Sequence, residues 1–106
     1  MKIVPLKIGE NLLKKVDEFV TINRRSRKFV SRGDVIRASI NTVLHDASKL
    51  KEIMKINNCD LYSGKVRVTS FKLPEHTLHK INEVVKMLKI SRNNFILRCI
   101  AYFLNL

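Results

Sequence analysis

The chain has 106 residues, which is enough for one ordinary domain or two very small ones. Apolar residues make up 45% of it, so the composition is that of a globular rather than a disordered protein. Lysine and arginine number 21 against 9 acidic residues, and the resulting net charge of +12 indicates a polyanionic partner, either nucleic acid or an anionic membrane surface.

Cysteine usage and hydropathy predict a protein of the cell interior. Cys59 and Cys99 match no metal-binding or secreted disulfide spacing, which favours free thiols in a reducing compartment. No apolar stretch reaches the length of a membrane span, and no signal peptide opens the chain. We therefore expect a cytoplasmic protein (the host cell cytoplasm if it is viral) that has no membrane partner.

The chain matches itself at two offsets. Residues 2–20 align with residues 67–85 at an offset of 65, and residues 30–44 align with residues 90–104 at an offset of 60. Apolar positions meet apolar positions in both alignments. A chance match is the alternative, but two independent segments that keep the same order favour a true repeat.

Each copy of the repeat is predicted to be a strand followed by two helices. Apolar residues alternate first with period two and then recur at helical spacing. The second helix of each copy starts at a serine of the kind that caps helices, Ser31 or Ser91. The outward strand positions are Ile3, Pro5, Lys7, Val68, Ser70 and Lys72. A shift of one residue in the second strand would instead turn Arg67 and Thr69 outward.

A strand with two short helices cannot bury its apolar face alone, and an isolated strand is not stable. The two copies are therefore expected to pair their strands and interleave their helices. The predicted fold class is mainly α with a small antiparallel β-ribbon. Its parts are copy 1 at residues 1–46, a linker at residues 47–65, and copy 2 at residues 66–106.

Two features are predicted in the linker. Helical spacing of its apolar residues extends the second helix of copy 1 to about Asn57. After it, residues 59–62 form either a third strand, joined to the next strand by a tight turn at Ser63-Gly64, or an ordinary surface loop.

The strand–helix–helix order, with SRGDVIRASI and SRNNFILRCI opening the second helices, resembles the ribbon-helix-helix (MetJ/Arc/CopG-like) regulators. The fused pair is most similar to the tandem ribbon-helix-helix proteins of archaeal viruses. The resemblance implies a pseudo-dimer within one chain, whose ribbon enters the DNA major groove. It also implies that outward strand side chains read bases, while the second helices hold phosphates at their N-termini. Ile3, Pro5 and Val68 depart from the polar base readers usual in that family.

Helix N-termini offer free N–H groups and a partial positive charge to anions, and cationic residues lie beside both predicted starts. The candidate phosphate-binding residues are Arg24, Arg25, Arg27, Lys28, Ser31, Arg32, Ser91 and Arg92. A solvated loop is the alternative for the run from Arg24 to Lys28. Solvated helix faces are predicted for Lys14, Lys15, Lys80 and Arg98.

No residue pattern indicates catalysis, a cofactor or a metal. The chain has 3 glycines and no glycine-rich phosphate loop. His76 and His79 lie one helical turn apart, but further metal ligands at convincing spacing are missing. Cys99 falls on an apolar helix face, which predicts a small core residue.

The sequence thus predicts a transcription regulator, a repressor or an activator, that binds specific sites on double-stranded DNA. Its chains are expected to be able to associate further on DNA. Two alternatives stay open. In a packaging or architectural protein, the positive charge alone would suffice for binding nucleic acid without sequence preference. The apolar outward residues favour this alternative. An antitoxin-like autorepressor would consist of one ribbon-helix-helix unit followed by a toxin-binding tail. In this chain a second unit occupies the place of that tail.

Overall fold

The computed structural model describes residues 1–27, 29 and 31–105 of the chain. The protein is mainly helical, with two strands that form a small antiparallel sheet. In chain order the elements are strand β1 (Lys2–Gly9), helix α1 (Glu10–Asn23), a 3-10 turn (Arg24–Ser26), helices α2 (Arg32–Leu44), α3 (Ser48–Met54) and α4 (Asn58–Leu61), strand β2 (Val66–Leu73), and helices α5 (Glu75–Leu88) and α6 (Arg92–Phe103). Over the described ranges, none of these helices combines the length and the apolar character that crossing a bilayer requires.

The two strands form a ribbon with one buried face. They pair along their whole length, and Pro5 lies opposite Ser70 near the middle. The buried side chains of this face are Val4, Leu6, Ile8, Phe71 and Leu73. Alternation along both strands is confirmed, and the one-residue shift in the second strand is wrong, because Val68 is 70% exposed and Phe71 only 5%.

Helix α6 lies at the centre of the molecule. Each residue from Phe95 to Ala101 is buried, so the helix is covered on every side. Helix α2 packs against it, and α3 and α4 also lie against it, with Ile53 and Leu61 fully inaccessible to solvent. Because a helix buried all round needs a partner on each face, the linker helices are part of the core rather than a surface connection.

The linker differs from the sequence prediction in both of its features. Helix α2 ends at Leu44 and does not run on to Asn57. The carboxylate of Asp46 accepts hydrogen bonds from the backbone and side chain of Ser48, at 3.0 and 2.7 Å, where the chain turns into α3. The third strand is absent, since residues 59–61 belong to α4, whose start is capped by the side chain of Asn57.

The prediction that Arg98 is a solvated side chain is also wrong, because the residue is only 6% exposed. Its guanidinium donates hydrogen bonds to the carbonyl oxygens of Ile53 and Ile56, at 2.9 and 2.7 Å. It also donates to the side-chain oxygens of Asn58 and Asn94, both at 2.7 Å. Carbonyls at a helix C-terminus lack helical donors and carry partial negative charge, so Arg98 satisfies the end of α3 and ties it to α6.

The two cysteines have opposite environments. Cys59 is exposed and Cys99 is buried, and both are free thiols. Burial raises the pKa of the Cys99 thiol well above its ordinary value, because the charged thiolate is disfavoured away from water. The prediction of Cys99 as a small core residue is confirmed.

Gly9 marks a close approach between the linker and the start of α1. The backbone N–H groups of Glu10 and Asn11 donate to the carbonyl oxygens of Lys65 and Ser63, at 2.9 and 3.2 Å. These bonds satisfy two donors that a helix start leaves free. A Cβ atom at Gly9 would lie 2.6 Å from the backbone nitrogen of Ser63, which leaves no room for a side chain.

We expect the substitution Gly9→Ala to lower the free energy of unfolding by about 1–3 kcal/mol, because rigid backbone would have to move. Urea-induced unfolding followed by circular dichroism measures the loss. Gly33→Ala is the matched control, since its Cβ would approach only the end of the flexible Arg37 side chain, at 3.0 Å. Equal destabilisation of the two variants would contradict the steric explanation.

Candidate nucleic-acid interface

The outward side chains of the ribbon form one continuous exposed surface, which we call the outer ribbon face: Ile3, Pro5, Lys7, Val68, Ser70 and Lys72. The outward orientation expected for all six is confirmed. Ile3 and Val68 are the most conspicuous, at 69% and 70% exposure. The role of these residues in reading bases stays a prediction.

The strand register places unlike residues side by side on the outer ribbon face. Cross-strand neighbours are Ile3 with Lys72, Pro5 with Ser70, and Lys7 with Val68. The two lysines therefore lie at diagonally opposite corners, and the two apolar residues occupy the other corners. Among the described residues, no carboxylate lies within 4.0 Å of either lysine ammonium group, so both can donate to an external acceptor.

Hydrogen bonds join each edge of the ribbon to a core helix. On both edges the bonded backbone group belongs to a lysine of the outer ribbon face, and the helix residue lies in the first two turns. The side-chain amide of Asn93, on α6, accepts from the backbone N–H of Lys7 at 2.8 Å and donates to its carbonyl at 2.9 Å. On the other edge, the guanidinium of Arg37, on α2, donates to the carbonyl of Lys72 at 3.0 Å. These bonds fix the position of the ribbon relative to the starts of α2 and α6.

The starts of α2 and α6 are capped by the two serines, as expected. Ser31 accepts a hydrogen bond from the backbone of Asp34, and the Asp34 carboxylate accepts one from the backbone of Ser31. Ser91 caps α6 in the same way through the backbone of Asn94, at 3.0 Å. The first turn of α2 thus carries a carboxylate that would oppose a phosphate, whereas the first turn of α6 carries none.

Arg32 and Arg92 open these two helices in different electrostatic surroundings. The guanidinium of Arg32 makes two hydrogen bonds to the carboxylate of Asp17, at 2.7 and 2.9 Å. The hydrogen bonding to Asp17 raises the pKa of Arg32, burial opposes the shift, and the charge of Asp17 reinforces it. Arg92 has no carboxylate within 4.0 Å in the described part of the chain. Of the two candidates, Arg92 is therefore the one whose charge is uncompensated.

The remaining candidate cations precede α2 in a short segment, Arg24–Arg27, which we call the arginine loop. Arg24 and Arg25 belong to the 3-10 turn, and Arg27 follows in a left-handed conformation with φ of 57°. All three arginines are exposed. Lys28 lies outside the described residues. The arginine loop thus presents three cationic side chains to solvent just ahead of the start of α2.

An aromatic cluster lies beside the arginine loop. The ring of Phe29 packs edge to face on Phe19 of α1, with centroids 5.2 Å apart, and on Phe103 of α6, at 6.0 Å. Phe19 and Phe103 also contact each other at 5.6 Å. Because Phe29 follows the arginines by two residues, this packing anchors the loop to the core.

No family model, curated protein or solved structure matches this chain. The outer ribbon face is half apolar and half hydrogen-bonding, and cationic groups lie at the two helix starts fastened to its edges.

Sequence reasoning missed three residues that shape this interface: Asp17, Arg37 and Asn93. In the self-alignment of the sequence, Asn93 aligns with Gly33 and Arg37 aligns with Leu97. A polar residue aligned with a glycine or an apolar residue is a signal that could have identified both positions. Asp17 aligns with Asn82, which is also polar, so only its charge distinguishes it.

Proposed function

We propose that this protein is a double-stranded DNA-binding transcription regulator that inserts its ribbon into the major groove. The major groove of B-DNA is wide enough for a two-stranded ribbon and presents a distinct pattern of donors, acceptors and methyl groups for each base pair. The observation that carries the proposal is the outer ribbon face, an exposed two-stranded surface with a lysine at each of two diagonal corners.

We further propose that the chain consists of two ribbon-helix-helix units that form a pseudo-dimer, β1–α1–α2 and β2–α5–α6. Matching element bounds support this interpretation. Helices α1 and α5 begin 65 residues apart and both have 14 residues, and α2 and α6 begin 60 residues apart. The register adds a second argument: Pro5 and Ser70, which also lie 65 residues apart, face each other, so the two lysine corners are equivalent.

Phosphate contacts are assigned to the two helix starts and the arginine loop. With a net charge of +12, the protein would attract DNA from solution, and the backbone contacts would set the register of the ribbon on the bases. The contacts differ between the two ends, since the arginine loop supplies one and Arg92 the other. The phosphate contacts are therefore expected to be asymmetric.

Selection from a random pool of double-stranded DNA at about 150 mM salt, followed by mobility-shift titration, tests the proposed function. We expect a motif to be enriched and the double variant Lys7→Ala/Lys72→Ala to lose preference for it. The control Lys15→Ala/Lys80→Ala removes the same charge from exposed helix faces and should keep the preference. Absence of any enriched motif would contradict sequence-specific binding.

Non-specific packaging is the second candidate, because the exposed Ile3 and Val68 make half of the corners of the outer ribbon face apolar. Such side chains form no hydrogen bonds with base edges. A flat specificity profile together with cooperative coating of long DNA would favour this function over regulation.

We expect Asp17→Asn to strengthen DNA binding about fivefold at 0.15 M salt. The substitution frees Arg32 to neutralise one more phosphate, and the release of the counterions from that phosphate favours binding. The substitution reproduces the asparagine that the second unit has at the matching position, Asn82. Stability should change by less than about 1 kcal/mol, since the ion pair is partly exposed.

Fluorescence anisotropy over a range of salt concentrations measures this gain. The control Asp60→Asn removes the same charge from an exposed position on α4. If both variants gained equally, net charge rather than the release of Arg32 would be responsible.

A further inference from the structure

Two large aliphatic side chains occupy equivalent corners of the outer ribbon face. Ile3 and Val68 lie 65 residues apart in the chain and are 69% and 70% exposed. Each is the direct cross-strand neighbour of a lysine, Lys72 for Ile3 and Lys7 for Val68. Single exposed apolar residues are common on protein surfaces, but a matched pair, each beside a cation, calls for a common explanation.

We propose that Ile3 and Val68 recognise the 5-methyl groups of thymine, so that each end of the ribbon prefers a thymine next to a guanine. This inference rests on the proposed insertion of the ribbon into the major groove. The thymine methyl is the apolar group that base pairs display there, and guanine displays two acceptors that a lysine ammonium can contact.

The register gives both contacts the right proximity. Directly opposed residues on one face have Cβ atoms about 4.5–5.5 Å apart, and neighbouring base pairs are about 3.4 Å apart. An aliphatic residue and the longer, flexible lysine beside it can therefore reach adjacent base pairs. The two corner pairs are separated by four residues of strand, about 13 Å at 3.3 Å per residue, which corresponds to roughly four base-pair steps.

Chemistry favours a methyl over the other groups of the groove floor. An isoleucine or valine placed against an amino or carbonyl group would remove that group from water without replacing its hydrogen bond. Against a methyl, the same side chain buries apolar surface on both molecules. The neighbouring lysines supply the polar contacts that the apolar residues lack, so each corner pair discriminates through two different groups.

Replacement of thymine by deoxyuridine in the selected DNA site removes the methyl and leaves base pairing unchanged. Affinity of the wild-type protein should fall about fourfold for each methyl contacted by Ile3 or Val68, the factor that one buried methyl contributes. The loss should occur at one thymine near each end of the ribbon footprint.

The double variant Ile3→Ser/Val68→Ser supplies the matched control. Serine is already present on the same face at Ser70, and both substituted positions are exposed, so the fold should be retained. This variant should bind the thymine and deoxyuridine sites equally. If the wild-type protein selects a motif but binds every deoxyuridine-substituted site as well as the parent, methyl recognition is wrong and the proposed function stands. If no motif is selected, the proposed function itself fails.

Discussion

Replacement of Arg98 by methionine is expected to lower the free energy of unfolding by about 3 kcal/mol, a large part of the roughly 5–15 kcal/mol that stabilises a domain. Methionine fills similar space but donates no hydrogen bonds. The carbonyl of Ile56 and the side-chain oxygen of Asn94 would lose the donor that Arg98 supplies. The oxygens of Ile53 and Asn58 would each keep one other donor, the backbone N–H of Ile56 at 3.3 Å and the side-chain amide of Asn94 at 3.0 Å.

The loss should begin at the end of α3, where Arg98 compensates two terminal carbonyls. Because α3 covers part of α6, its release would also expose apolar surface of the central helix. Hydrogen exchange should therefore accelerate first in α3 and α4, and only afterwards in α2.

Urea-induced unfolding measures the loss of free energy of unfolding in Arg98→Met. The matched control is Arg67→Met, measured in the same way. Arg67 is 52% exposed and ion-paired with Glu10 at 3.5 Å, so its loss should cost less than about 1 kcal/mol. Equal stability of the two variants would mean that the buried guanidinium does not hold the linker.

The triple variant Arg24→Ala/Arg25→Ala/Arg27→Ala is expected to bind all DNA sequences about 100-fold more weakly at 0.15 M salt. If each arginine neutralises one phosphate, the slope of log affinity against log salt falls by about 0.9 for each, or about 2.7 in total. Preference among sequences should be unchanged, because phosphate contacts carry no base information.

Salt titrations of specific and random DNA measure both quantities. The control Lys14→Ala/Lys15→Ala/Lys80→Ala removes three charges from exposed helix faces. A similar loss of slope in the control would assign the effect to net charge. A change of sequence preference in the arginine variant would overturn the division between base reading and phosphate binding.

The ribbon and the four long helices follow from local patterns in the sequence. Alternation of Val4, Leu6 and Ile8 determines which face of β1 is buried, and the same pattern places β2. Ser31 and Ser91 mark the starts of α2 and α6, because a serine hydroxyl caps the free N–H groups there. These features depend on residues close in sequence, so periodicity reveals them.

The linker and the environment of Arg98 could not be derived in this way. Helical spacing continues past Leu44, yet the chain bends at Asp46 so that Ile53 can reach the surface of α6. An arginine normally remains solvated, and nothing near it in sequence indicates that a helix end 42 to 45 residues away supplies its acceptors. The pairing of Arg32 with Asp17 is likewise a contact between elements.

Antiparallel pairing of β1 with β2 has a consequence for biosynthesis. The nearest paired residues, Gly9 and Val66, are 57 positions apart, so β1 waits for its partner while the linker and two long helices are made. At roughly 5–20 residues per second, that interval is about 3–11 s. During it, the segment KIVPLKI is an unpaired strand of the kind that aggregates. Pro5 lacks a backbone donor and Lys7 carries a charge, so we expect these two residues of the outer ribbon face to limit aggregation of the nascent chain as well.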